Sequence, residues 1–335
     1  MKHNQKIHTS EKKVNSEYTL VETAMLSIII PVFNEEENIP YLIDALKMVL
    51  DKLKINYEII FIDDGSTDNT FDILKDIHKK NNNIRIIRLR RNFRQALAFS
   101  AGFDHSKGDV IITMDGDLQN DPEDIPRLLD KLDEGYDIVK GWRVNRKDPF
   151  FSKKLPSKIF NWLTSRITGV KLHDFACALN AYRREVVENI AIYGELHRYI
   201  AVLASMRGVS IAEIEVKHHP RIYGESKYKI GRLIRGTFDL ITVKFLLSYS
   251  TRPLQLFGIP GVISFFIGFV IGAHLTVGKL FFGMSLADRP LLLLAVLLIF
   301  LGMQFITMGL LGEIITRTYY EVQGKPMYAI KEIVE

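Results

Sequence analysis

Three groups of oxygen-bearing side chains have the types and spacing to do chemistry. Asp115, Asp117 and Gln119 alternate in MDGDLQNDP, Asp63 and Asp64 lead DDGSTDNT, and Asn34 precedes Glu35, Glu36 and Glu37 in PVFNEEE. Carboxylates two apart on a strand end or tight turn suit Mg2+ or Mn2+, which accept a few hard oxygen ligands and keep positions for substrate phosphates. Zinc is disfavoured, because His218 and His219 are adjacent and the single cysteine, Cys177, gives them no partner. His173 and His197 read as surface or core imidazoles. The sequence has neither GxGxxG after its first strand nor GxxxxGK[ST], so phosphates would need a metal bridge instead of a glycine cradle. Turn chemistry accounts for any one cluster alone: Asp63 and Asp64 could cap the following helix, as Asp121 before Pro122 could. Convergence of all three is different, since like charges brought together repel unless a cation lies among them.

An alternation of strands and helices would bring them together. Apolar, β-branched runs begin at Leu26 (LSIIIPV), Tyr57 (YEIIFID), Ile84 (IRIIRL) and Val110 (VIITMD), separated by segments of helical period such as IPYLIDALKMVLDKL and TFDILKDIHKK. That is the rhythm of a parallel sheet in an α/β domain. A fifth run, DIVKGW from Asp137, follows a helix expected to open at Asp121 with Pro122 as its first residue. Beyond it the rhythm fails, and IAEIEVK alternates as a half-buried strand, so the sheet is expected to be mixed there. Parallel sheets bind ligands at the carboxyl ends of their strands, where all three acidic clusters fall.

The rest of the chain is of another kind. Charged residues make up 25% of the 335, yet mean hydropathy is slightly positive at +0.06. The excess is local: 253–278 and 290–312 contain no Asp, Glu, Lys or Arg. Each exceeds the ~20 residues needed to cross a bilayer. A short link between the two predicts an antiparallel hairpin with both ends on one side. Basic residues flank its outer ends (Lys229, Arg232, Arg235, Lys244 and Arg252 before it, Arg317 and Lys325 after), which predicts a cytoplasmic main domain at the cell's inner membrane. The lone cysteine fits a reducing compartment. The net charge of +5 (44 minus 39) suits anionic lipid or phosphate ligands. Charge alone admits nucleic acid, but none is expected as a partner, and homo-oligomer formation is left open. The predicted organisation is a polar, Lys-rich flexible tail (1–24) without an apolar leader, the α/β domain (25–227), interfacial amphipathic helices (228–252), two membrane helices (253–317, spanning about 254–278 and 290–312) and a cytoplasmic tail (318–335). The stretch FFSKKLPSKIFNWLTSRIT from Phe150 reads as a further interfacial helix.

PVFNEEENI, DDGSTDNT, RNFRQALAFSAG and MDGDLQNDPEDI together resemble family 2 glycosyltransferases of the GT-A fold. GWR from Gly141, CALNAYRREVV, GELHRYI and HHPRIYGESKY, followed by two apolar spans, narrow the resemblance to the polyprenyl-phosphate glycosyltransferases. That group includes bactoprenol glucosyltransferase, dolichol-phosphate mannose synthase and the undecaprenyl-phosphate aminoarabinose transferase. The resemblance runs from about Leu26 to Arg317. It implies a mixed GT-A sheet that binds a nucleotide sugar, and a hexosyl transfer, with inversion, from a nucleoside-diphosphate sugar such as UDP-glucose to polyprenyl phosphate. A divalent metal, Mg2+ or Mn2+, is the implied cofactor.

Residue by residue, the resemblance implies nucleotide-sugar binding by Pro31, Asn34, Glu35, Asp63, Asp64 and Asp115. Asp115 and Asp117 match the metal-binding DxD, with Gln119 added. Arg143, Lys153, Ser157, Arg221, Ser226 and Lys227 match positions that meet a phosphate, principally the acceptor's. Asp117 and Arg143 are the implied catalytic pair. Some relatives place an acidic residue where this chain reads FACALNAY, so Asp174, the nearest carboxylate, is the candidate base, with a turn cap as its alternative. A dianionic lipid phosphate, of second pKa ~6, needs little help from a base. The QxxRW signature of processive polymer synthases is missing from the sequence. The rival readings are a transferase with a different glycolipid acceptor and an inactive nucleotide-sugar-binding scaffold.

Overall fold

The computed structural model describes residues 24–144, 155–188, 190, 192, 196–205, 207–221, 240, 243, 253–283, 285, 290–322 and 328–335. Its described residues fall into two units, the first holding those up to 144, 173–221 and 328–335, the second 157–172 and two long apolar helices.

In the first unit, strands β1 (Leu26–Val32), β2 (Tyr57–Asp63), β3 (Ile84–Leu89) and β4 (Val110–Thr113) form at the four predicted runs. Their near-continuous Ile and Val content, buried on both faces, is that of parallel strands covered by helices. Completing the sheet are β5 (Ile138–Trp142), β6 (Asn180–Arg183), β7 (Ile211–Glu215) and β8 (Ile330–Val334), in the order β7-β5-β6-β4-β1-β2-β3-β8. β1 to β4 are mutually parallel, β6 runs antiparallel to β4 and β5, β7 is parallel to β5, and β8 is antiparallel to β3. The sheet is therefore mixed at both ends. Six strands, β1 to β5 and β7, point their carboxyl ends to one edge, and the segment entering β6 arrives at that edge too.

Helices α1 (Ile39–Leu53), α2 (Thr70–His78), α3 (Gln95–His105) and α4 (Ile125–Asp133) join these strands. A 3-10 turn at Pro122–Asp124 precedes α4, and the Asp121 carboxylate caps it by accepting the Glu123 N–H at 2.9 Å. Ile28, Ile30, Leu42, Leu46, Ile59, Phe61, Leu128 and Val139 belong to one buried core beneath α1, α2 and α4. Strand β8 revises the expected tail at 318–335: its residues form the edge strand of the sheet beside β3. The turn-rich end contributes α6 (Arg184–Val187) and α7 (Ile200–Ser205).

The second unit contains most of α5 (Leu155–Thr168) together with α8 (Pro253–Phe282) and α9 (Pro290–Val322). Phe257–Phe282 and Pro290–Gly312 are long and apolar enough to cross a membrane. The helices pack as an antiparallel pair through small residues, Gly261 beside Gly302 and Gly268 beside Ala295. Away from that seam their side chains are exposed, Phe266, Phe269, Leu293 and Phe300 among them. On α5, Ile159 and Trp162 are exposed beside Lys158 and Arg166, the mixture of an interfacial face. The other expected interfacial segment, 228–252, lies outside the described residues except for Leu240 and Val243.

Candidate active site

Four turns at the carboxyl edge carry the predicted residues. The turns after β1 and β2 are laced together: Asn34 N–H donates to Ser66 Oγ (3.0 Å), Thr67 N–H to Asn34 Oδ1 (2.8 Å), and Glu35 N–H to Thr70 Oγ1 (2.9 Å). Asn34 accepts a left-handed backbone (φ 53), a conformation its short polar side chain tolerates. Pro31, near the end of β1, shapes the approach to this turn.

Asp64 takes its hydrogen bonds from within the protein, whereas Asp63 is left with one buried oxygen, Oδ2, that has no hydrogen-bond partner among the described residues. Fully buried Asp63 accepts the Ser66 N–H (2.8 Å) and meets Arg88 Nε at 3.2 Å. Asp64 accepts Phe93 N–H (2.6 Å) and Arg94 N–H (2.8 Å). Burial pushes the Asp64 carboxyl up to about 6, although both backbone bonds oppose the shift. Gly65 follows at φ +73, and a Cβ there would sit 2.7 Å from the Arg91 carbonyl carbon. The second turn is thereby pressed onto the loop after β3. The second cluster thus has one protein cation, Arg88, beside Asp63 and two backbone donors on Asp64.

Asp115 and Asp117 are different. Asp115 Oδ1 accepts Gln95 Nε2 at 2.5 Å, and burial followed by the Asp117 charge raises its carboxyl well above the usual range. Asp117 Oδ1 accepts the Gln119 N–H (3.2 Å), and its Oδ2 pairs with Arg221 Nη2 at 2.6 Å. Gln119 points its amide towards the His219 carbonyl at 3.5 Å. Among the described residues, no group of three or more His, Cys, Asp or Glu is placed to hold a metal. Two neighbouring carboxylates nevertheless fit Mg2+ or Mn2+, which typically take one or two protein carboxylates and complete their shell from phosphate and water. A cavity of about 380 Å³ opens beside Arg221, walled by Ala45, Leu118, Pro122 and Pro220.

Arg143, just past β5, and Asp174, before β6, form a two-pronged ion pair. Asp174 also accepts the Ala176 N–H at 3.0 Å, so the turn-cap role is present. Glu213 of β7 supports the pair from below, accepting the N–H groups of His173 and Asp174 and meeting His173 Nδ1 at 2.9 Å. His173 stacks on Trp142 with ring centres 4.1 Å apart. Buried Lys140 adds a second cation near Asp174 and Glu213, and burial lowers its pKa. His197 packs against Phe99, and burial holds its imidazole well below the ordinary value, favouring the neutral ring. Buried Cys177 lies beside this network, its thiol pushed by burial up to about 11.

Ser157 stands on α5 in the second unit; Lys153, Ser226 and Lys227 lie outside the described residues. Sequence reasoning missed Arg88, Gln95 and Glu213, the partners of Asp63, Asp115 and the Asp174 turn. Gln95 does lie in the RNFRQ stretch, and Glu213 in the alternating β7 run, but only the fold shows whom they meet.

The description "Glycosyl transferase family 2" matches residues 27–191. A dodecaprenyl-phosphate galacturonate synthase of Rhizobium johnstonii is 39% identical over 319 residues, covering 94% of each chain. This chain belongs to glycosyl transferase family 2. As a family 2 glycosyltransferase it is also similar in fold to glucosyl-3-phosphoglycerate synthase of Mycobacterium tuberculosis. In the complex of that enzyme with Mn2+, UDP-glucose and glycerol 3-phosphate, the TM-score is 0.50 at 19% identity, over 67% of this chain and 80% of the other. Its complex with UDP gives the same figures. The GT-A architecture expected from the motifs agrees with this likeness.

Proposed function

We propose that this glycosyltransferase moves a sugar from a nucleoside diphosphate to a polyprenyl phosphate at a membrane face, with inversion at the anomeric carbon. The observation that carries the reading is the end-to-end similarity to the Rhizobium synthase, whose name specifies a polyprenyl-phosphate product. The Asp115–Asp117 pair among arginines supplies the matching chemistry. The donor is a UDP-linked hexose derivative. The relative's galacturonate makes UDP-galacturonate the first candidate, ahead of the UDP-glucose expected from the sequence.

In this reading the interlaced turns of Asn34 and Glu35, with Asp63 and Asp64, hold the base and ribose. Asp115 and Asp117, with Gln119, would hold the divalent cation, whose chemistry when bound is to offset the diphosphate charge. Arg221 is close enough to Asp117 to exchange its carboxylate for a phosphate oxygen. Arg143, fixed in orientation by Asp174, offers a planar fork to a phosphate. Lys153, Ser157, Ser226 and Lys227 are assigned to the acceptor side. Asp174 acts as a positioning residue, since its carboxylate is already engaged by Arg143 and Ala176. The lipid phosphate then attacks without a protein base, being largely dianionic at neutral pH.

The chain path supports the proposed membrane placement. β3 and β8 pair in one sheet, and α8 and α9 lie between them in sequence, so two crossings return the chain to the side from which it left. With the basic flanks of the hairpin, this supports a cytoplasmic sheet domain. Exposed Ile159 and Trp162 on α5 suit the headgroup level.

The test is incubation of the purified protein in nanodiscs with polyprenyl phosphate and UDP-galacturonate, UDP-glucose or GDP-mannose, plus Mg2+ or Mn2+. Mass spectrometry of the lipid fraction should find a polyprenyl-phosphate sugar with a UDP donor. Glycosylation of another lipid, with polyprenyl phosphate untouched, would overturn the acceptor assignment.

A further inference from the structure

From β8 we infer that the strand following the apolar helices is a positioning element of the donor-nucleotide site, acting through the loop between β3 and α3. The inference rests on the reading of the carboxyl edge as that site.

Residues 90–95 carry three of the hydrogen bonds that organise this edge: Phe93 and Arg94 N–H to Asp64, and Gln95 Nε2 to Asp115. One short loop thus fixes carboxylates after two different strands. Its backbone is strained, with Arg94 at φ 73, outside the regions a side-chain-bearing residue prefers. Such a conformation persists only where its surroundings over-determine it.

The segment 328–330 grips that loop at its β3 end and also holds the helix α3 that follows it. On the β3 side, Arg90 N–H donates to the Ala329 carbonyl at 2.9 Å, and Arg90 Nε to the Ile330 carbonyl at 3.3 Å. Near the far end of α3, buried Tyr328 donates its hydroxyl to Asp104 Oδ2 at 2.9 Å, holding the helix that carries Gln95. The rest of β8 is anchored independently. Lys75 of α2 meets Glu332 at 2.5 Å, and Arg85, itself paired with buried Glu58, meets Glu335. A bulge at Arg88/Leu89 lies where the β3–β8 pairing begins, beside the Arg88 that faces Asp63. Removing β8 would leave the β3 edge unpaired and release both the start of the loop at Arg90 and the helix α3 at Asp104, while touching neither Arg143 nor Arg221. The consequence is selective for the donor.

The experiment compares the full chain in nanodiscs with a variant lacking 328–335 and with Tyr328→Phe. UDP affinity in the presence of Mn2+ and the KM values for donor sugar and lipid phosphate are measured separately. The deletion should raise UDP Kd and donor KM by about tenfold or more, with lipid KM held within about twofold, a split that a global loss of folded enzyme does not produce. A synthetic peptide YAIKEIVE, supplied in trans, should restore donor affinity by re-pairing with β3. Tyr328→Phe should raise donor KM by about threefold and gain nothing from the peptide, covering the case in which the deletion fails to fold. Unchanged UDP affinity in a folded deletion variant, or unchanged donor KM in Tyr328→Phe, overturns the inference. So does an equal fall on the donor and lipid sides. Wild-type protein that binds UDP but glycosylates another acceptor sinks only the acceptor assignment; wild-type protein that binds no UDP overturns both readings.

Discussion

Arg221 Nη2 lies 2.6 Å from Asp117 Oδ2, so a cation of the chain itself sits against one of the two carboxylates proposed to hold the metal. Arginine and a divalent ion compete for that oxygen. Arg221→Ala should therefore tighten Mn2+ binding to the nucleotide-free protein by about threefold or more while slowing sugar transfer, since an opposite charge beside Asp117 is lost to both states. Asp117→Asn should weaken Mn2+ and reduce transfer by about 100-fold or more without unfolding the protein. Paramagnetic titration of Mn2+, run beside turnover, checks both. Weaker Mn2+ binding in Arg221→Ala would refute the competition.

Asp174 gives a prediction about pH. As the orienting partner of Arg143 its role is steric and electrostatic, and Asp174→Asn should lower kcat/KM by roughly ten- to 100-fold while the pH–rate profile keeps its shape. Arg143→Lys should cost a similar factor, because an ammonium cannot reproduce the fork. Disappearance of the acid limb in Asp174→Asn would instead identify Asp174 as the base.

Cys177 provides a clean chemical probe, being the one cysteine in the sequence and buried. Its folded pKa of about 11 lies above the ordinary thiol range, so the fold favours the neutral thiol. That contribution to stability is complete below the unfolded pKa and is lost as pH rises through about 11. At about pH 8 the native protein should not react with a thiol reagent, because the thiolate is the nucleophile. One equivalent should react in denaturant. Rapid labelling of native protein would contradict the burial of this segment beneath Arg143.

The hairpin can be tested with a matched pair of substitutions. A Cβ on Gly302 would lie 2.6 Å from the Gly261 carbonyl oxygen and from Phe265 N, whereas one on Gly272 meets nothing. Gly302→Val should destabilise the protein in detergent by about 1–3 kcal/mol, an overpacking cost, and Gly272→Val should not. Thermal melts of the two variants decide it; equal behaviour would mean that the helices do not meet through this seam.

Strands β1 to β4 were legible because a strand buried on both faces must be written in uninterrupted Ile and Val. β6, reading NAYR, carries no such run: Asn180 bonds the loop entering it and Arg183 bonds the turn before β5, so its polar residues have structural work. β8 was read as tail because its pattern, IKEIV, is short and comes after two apolar spans. Within the site, the carboxylates were visible as types and spacings. Their partners were not, since Arg88, Gln95 and Glu213 reach Asp63, Asp115 and the Asp174 turn only after the sheet has assembled.

The position of β8 in the chain also sets an order of events during synthesis. The sheet's β3 edge cannot be closed by its own chain until both apolar helices have been made, so the domain emerges from the ribosome with one border still open. Tyr328, which bonds Asp104 of α3, follows Val322 of α9 by six positions. Completion of the proposed nucleotide side of the site thereby follows synthesis of the two apolar helices, and a chain halted before they are finished would carry the carboxylates without β8.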